Sequence, residues 1–66
     1  MKVLLRHVNT GLYYRDSSEW TENPDAASDF KASANALQLV SEMRLEGVEI
    51  VLWFDDPRYN LILPLH

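Results

Sequence analysis

The chain is expected to fold as a small α+β domain in the order strand, strand, helix, strand, strand, and two stretches predict it. Ala32 to Leu45 has the apolar period of a helix, and Val48 to Phe54 has the alternation of a strand. With side chains about 100° apart around a helix, Ala32, Ala36, Leu39, Val40 and Met43 share one arc, with Leu37 at its edge. Lys31, Asn35, Gln38, Glu42 and Glu46 gather on the opposite side. Strand alternation puts Val48, Ile50, Leu52 and Phe54 on one face, and Glu49, Val51 and Trp53 on the other. Sixty-six residues suit a single domain spanning 1–66, near the lower size at which a chain buries enough apolar surface to fold alone.

Taken in order, Lys2 to Val8 reads as a strand, and Leu12 to Arg15 as its hairpin partner. Asn9-Thr10-Gly11 between them suits a type I turn closed by a left-handed glycine, with Val8 and Leu12 as neighbours beside it. That pairing groups Leu4, Arg6, Val8, Leu12 and Tyr14 on one face, and Val3, Leu5, His7 and Tyr13 on the other. Both faces carry apolar and polar members, so the pattern does not choose the buried one.

Asp16 to Glu22 is polar apart from Trp20 and reads as a loop whose indole folds back on the core. Asn23-Pro24-Asp25 is a helix start: an N-cap, a proline at the first helical position and a carboxylate that complements the dipole. A short helix is expected from Pro24 to about Phe30. A single helix through to Glu46 would place Asp29 in the apolar arc, where an unpaired carboxylate is costly. A break at Phe30 to Ala32 avoids this, with Ser33 as a second cap and the main helix at about 32–46.

Gly47 is expected to end that helix in a left-handed conformation. Asp56-Pro57-Arg58-Tyr59 matches a type I turn, and a last strand from Tyr59 to Leu63 stops at Pro64, which suits a strand end or an edge. The expected sheet has four mainly antiparallel strands in the order 2-1-3-4, with the helix on one face. The other face would stay open while carrying Val51, Trp53, Ile62 and half of the hairpin side chains.

Gly11-Leu12-Tyr13-Tyr14, then Trp20-Thr21, then Ala26 or Ala27 with Phe30, then Ala36, resembles a set of short uncharacterised bacterial and phage proteins. In those, a hairpin ending in paired aromatics precedes a tryptophan, a short alanine–phenylalanine helix and a second helix bearing alanine. The resemblance covers roughly Gly11 to Leu37, and departs at Ala32, where those chains tend to have serine. It implies the break near Phe30 and carries no activity.

Composition narrows the function. Without cysteine there is no disulfide framework and no thiolate metal site. Glu49, Asp55 and Asp56 are accounted for by turn chemistry and a solvent-facing strand position rather than by a metal or acid–base centre, while His7 reads as a half-buried or partner-facing histidine and His66 is a chain end. Ser17, Ser18, Ser28, Ser33 and Ser41 lack a nucleophile's setting, and two glycines cannot build a phosphate loop. The expectation is a non-enzymatic protein with no cofactor and no metal.

Ten acidic against six basic residues give a net charge of −4, which opposes indiscriminate binding to nucleic acid or anionic membrane. No apolar run approaches membrane-spanning length, so a soluble cytoplasmic protein is expected. Tryptophan, tyrosine and arginine are enriched in interface hot spots. The candidate interaction surface is therefore the open sheet face: Arg6, Tyr13, Arg15, Val51, Trp53 and Ile62. It would join a homodimer or receive another protein. The alternative is single-stranded nucleic-acid binding by the same aromatic and arginine side chains, against which stand the net charge and the lack of an RNA-binding signature.

Overall fold

A computed structural model describes residues 1–16 and 19–65. Five strands form one antiparallel sheet: β1 (Lys2–His7), β2 (Tyr13–Tyr14), β3 (Trp20–Thr21), β4 (Val48–Trp53) and β5 (Leu61–Pro64). One helix, α1 (Ser33–Met43), lies between β3 and β4 in sequence. The strand order is β3-β2-β1-β4-β5. The expected four strands in order 2-1-3-4 are corrected by β3, which the polar stretch Asp16 to Glu22 adds outside β2. Trp20 lies opposite Tyr14 in that pairing, and its indole meets the Tyr14 ring edge-on at 5.6 Å. An anchor on the core thus also carries a short strand to the sheet edge.

β1 is the central strand, paired to β4 along its whole length from Lys2↔Trp53 to His7↔Val48. The hairpin register Arg6↔Tyr13 corrects the expected grouping, because it shifts the pairing by one residue. The connecting loop takes in Val8: the Gly11 N–H donates to the His7 carbonyl and the His7 N–H to the Leu12 carbonyl, each at 2.8 Å. Gly11 has the expected left-handed backbone (φ 73°), but Val8 is an exposed loop residue whose N–H donates to the Gly47 carbonyl. Tyr14 therefore joins Val3 and Leu5 under the helix, and Tyr13 joins Leu4 on the opposite face.

The helical face holds the larger core: Val3, Leu5, Tyr14, Ala36 and Ile50, with Trp20, Phe30, Leu39, Val40, Leu45 and Leu52 packed against it. Of the expected helical stripe, Ala36 is buried and Leu39 and Val40 are half-buried; Ala32, Leu37 and Met43 are exposed. The helix is shorter than the expected 32–46 at both ends. Arg44 takes the left-handed position (φ 52°), and the Leu45 N–H bonds back across it to the Val40 carbonyl at 3.0 Å, while Leu45 docks on the core. This closure stops the helix at Met43, four residues before Gly47. Gly47, also left-handed, instead leads into β4.

The segment before α1 is extended rather than helical. Asn23 caps Pro24 as expected, its Oδ1 accepting the Asp25 N–H, but the turn is a 3-10 helix limited to Pro24–Ala26. The expected short helix to Phe30 does not form, because its backbone groups are used by the sheet. The Ser28 N–H donates to the Tyr14 carbonyl at 3.0 Å and the Phe30 N–H to the Val3 carbonyl at 2.8 Å. Asp29 Oδ1 accepts from both the Val3 N–H (3.0 Å) and the Lys31 N–H (2.8 Å). Lys31 is left-handed (φ 66°), and α1 begins after Ala32 without a side-chain cap from Ser33. Asn35 Nδ2 donates instead to the Phe30 carbonyl. Phe54 falls just beyond β4, and Pro57–Tyr59 forms a 3-10 turn opened by Asp56, so β5 starts at Leu61.

Asp29 thus holds the crossing segment to β1. Asp29→Ala is expected to cost about 1–2 kcal/mol in urea denaturation, as two backbone donors lose their acceptor. The hydrogen bond from Val3 foremost, with that from Lys31, lowers the Asp29 carboxyl below its ordinary value. Its contribution is therefore present above the unfolded value, about pH 4, and is lost as pH falls through the lowered folded value. The acid-unfolding curve of Asp29→Asn should lack that component. Arg44→Gly should stabilise the protein by about 0.5–1 kcal/mol in the same assay, since glycine relieves the left-handed strain at the helix end.

Candidate interaction surface

The sheet face away from α1 is built from the residues that alternate with the helical core. Leu4, Arg6, Tyr13, Glu49, Val51 and Trp53 all fall there by the registers of β1, β2 and β4. Four of the six predicted surface residues, Arg6, Tyr13, Val51 and Trp53, belong to this group. They pack among themselves. The Tyr13 and Trp53 rings meet edge-to-face at 6.1 Å, over a cluster of Leu4, Tyr13 and Val51 to which Ala27 contributes from the crossing segment. Leu4 is 0% exposed, Val51 2% and Tyr13 9%. The expectation that this face stays open is corrected at its centre, because two large rings laid over small neighbours give it a cover of its own.

Arg6 closes one side of this cover. Its Nε donates to Glu49 Oε2 at 2.8 Å, its terminal nitrogen reaches the same oxygen, and its guanidinium carbon lies 5.9 Å from the Tyr13 ring centroid. Arg6 and Glu49 are directly opposed across the β1–β4 ladder. Partial burial works against the Arg6 charge, but the contacts with Glu49 and Tyr13 outweigh it and raise the guanidinium above its ordinary value. Glu49, expected to face solvent, is half-buried in an ion pair.

Ile62 and Arg15 lie outside the cluster. Ile62 stands opposite Val51 across the β4–β5 ladder, so it extends the same face outward and is exposed. Arg15 follows β2, exposed, with its N–H on the Glu19 carbonyl. The exposed apolar surface is displaced to β5, where Leu61 is 55% exposed, Ile62 49% and Leu63 40%. Leu61 and Leu63 were not among the predicted surface residues. The signal for them was present in an uncharged Leu-Ile-Leu run ending at an edge-type proline.

Asp56 accepts the Arg58 N–H and pairs with its guanidinium, which lowers the Asp56 carboxyl and raises Arg58. Among the described residues no group of three or more His, Cys, Asp or Glu side chains is placed to hold a metal ion. His7 meets the Trp20 ring edge-on at 5.1 Å. Ser17, Ser18 and His66 lie outside the described residues. A cavity of about 340 Å³ between the end of α1 and β4 is lined by Val40, Leu45, Glu46, Gly47, Val48 and Leu65. No helix among the described residues is long and apolar enough to cross a membrane. No family model matches the chain, and neither curated proteins nor solved structures show a significant similarity to it.

The ion pair is expected to support the cluster. Glu49→Gln should cost about 1–3 kcal/mol in urea denaturation, as Arg6 loses its charged acceptor. Arg6→Gln should cost less in the Glu49→Gln background than in the unaltered chain, a double-mutant cycle that isolates the pair.

Proposed function

We propose that the chain is a non-enzymatic protein-interaction module that self-associates through the sheet, with the contact at its β5 side. The observation that carries this reading is that every residue of β5 is exposed, although Leu61, Ile62 and Leu63 are apolar and the strand carries no charge. A free apolar edge strand offers both unpaired backbone groups and apolar surface to another chain. The predicted centre at Trp53 is a poorer contact point, since its ring is engaged with Tyr13. The nucleic-acid alternative has less support. It needs Tyr13 and Arg6 available for stacking and phosphate contact, and these side chains are held by Trp53 and Glu49.

Sedimentation velocity over a wide concentration range tests the reading. The expected outcome is reversible association that depends little on salt and is lost in Ile62→Lys, with thermal stability within about 0.5 kcal/mol of the unaltered chain. Trp53→Ala is a less selective probe, because it opens the internal cluster as well. A monomer at every concentration would overturn the proposal.

A further inference from the structure

We infer that the occupant of the β5 edge is the β5 strand of a second copy, antiparallel about a two-fold axis at Ile62. This rests on the self-association reading and names its geometry. β5 is a terminal strand of the sheet, paired on one side to β4. Two copies joined there make one continuous sheet of ten strands from two sheets of five.

Charge favours a second copy at this place. The chain carries −4 overall, so most surfaces of two copies repel when brought together. Leu61 to Leu65 has no charged residue, and the neighbouring Asp56 is paired with Arg58. The edge is a place where two copies can meet without like charges facing each other.

The strand is also complementary to itself. An interface across a two-fold axis places one patch against its own image. With the axis at Ile62, Leu61 lies opposite Leu63 of the second copy in both directions, and the two Ile62 residues lie opposite each other. The register of β5 on β4 pairs Leu61 with Leu52 and Leu63 with Ile50, both on the helical face, and Ile62 with Val51 on the other. Both apolar layers therefore run on across the axis.

Pro64 selects this register. A proline in a ladder keeps its nitrogen on the unpaired side, and strand alternation gives Ile62 the same orientation. The Ile62 N–H and C=O thus form the outer edge, and two copies exchange both bonds at the axis. Pro64 then falls opposite Asn60 of the second copy. The Asn60 N–H is already donated to the Pro57 carbonyl, so the ladder ends at this outer pair, where the Asn60 and Pro64 carbonyls are left to solvent. Moving the axis to Leu63 would set Pro64 opposite Ile62 and leave Ile62 carbonyls without a donor.

Because the chain has no cysteine, single introduced thiols report the geometry. Ile62→Cys, oxidised mildly at a concentration where the dimer is populated, should form a disulfide-linked dimer in roughly tenfold or greater excess over a Leu37→Cys control, reflecting the effective concentration at the axis. Mixing Leu61→Cys with Leu63→Cys should give the mixed dimer in preference to either homodimer. Circular dichroism of each variant checks that it is folded. A dimer that cross-links through Trp53→Cys and not Ile62→Cys overturns the edge geometry and leaves self-association standing. A chain that stays monomeric at every concentration overturns both. A monomer whose β5 amides gain protection from hydrogen exchange with a different protein likewise overturns both, and assigns the edge to that protein.

Discussion

The structure depends on β1 being buried from both sides. Val3, Leu4 and Leu5 are consecutive and almost wholly inaccessible, although alternation sends Leu4 to one face of the sheet and its two neighbours to the other. Each face must therefore be covered. Among the described residues α1 is the one α-helix, and it can cover only one face. The rest of the fold answers that constraint. β1 is held laterally by β4 along its length, by β2 at Arg6, and by the crossing segment at Val3.

The second face is closed with side chains in place of a second helix. Tyr13 and Trp53 lie over Leu4 and Val51, Ala27 fills in from the crossing segment, and the Arg6–Glu49 pair seals the flank. An ion pair suits this place because its charged ends reach solvent while the arginine stem and guanidinium cover apolar surface. The crossing segment brings Ala27 to this face and Phe30 to the other, so it links the two cores around the sheet. Its extended form follows from that passage, since a helix from Pro24 to Phe30 could not donate its N–H groups to Tyr14 and Val3.

The cover stops short of β5. The side chains that protect the centre come from strands near β1, and α1 packs over the same middle strands. The edge is left with apolar residues on both faces and no charge to blunt it. Natural edges are commonly guarded by lysine, a bulge or a proline. Here Pro64 is such a guard, and it stands at the far end of the strand, beyond Leu61 to Leu63.

Local features were legible in the sequence because they rest on contacts two to four residues apart. The caps at Asn23-Pro24 and Asp56-Pro57, the left-handed Gly11 and the alternation of Val48 to Trp53 need no distant partner. Alternation alone also put Val51 and Trp53 on one face, but it did not bring Arg6 and Tyr13 together, since the expected hairpin pairing set them on opposite faces and only the register Arg6↔Tyr13 joins them. What escaped the sequence depended on tertiary partners. The hairpin register turned on whether Val8 belonged to the strand or the loop, and its N–H is taken by Gly47, 39 residues on. Left-handed Lys31 and Arg44 are tolerated because the Lys31 N–H is taken by the Asp29 carboxylate and the Leu45 N–H reaches back across Arg44 to the Val40 carbonyl. Trp20-Thr21 becomes a strand only because Tyr13-Tyr14 offers an edge. The sequence by itself determined the class of fold, its strongest strand and its turns. Only the tertiary structure decided which face each tyrosine covers and which apolar residues are left exposed, because burial belongs to the packed whole and not to any local stretch.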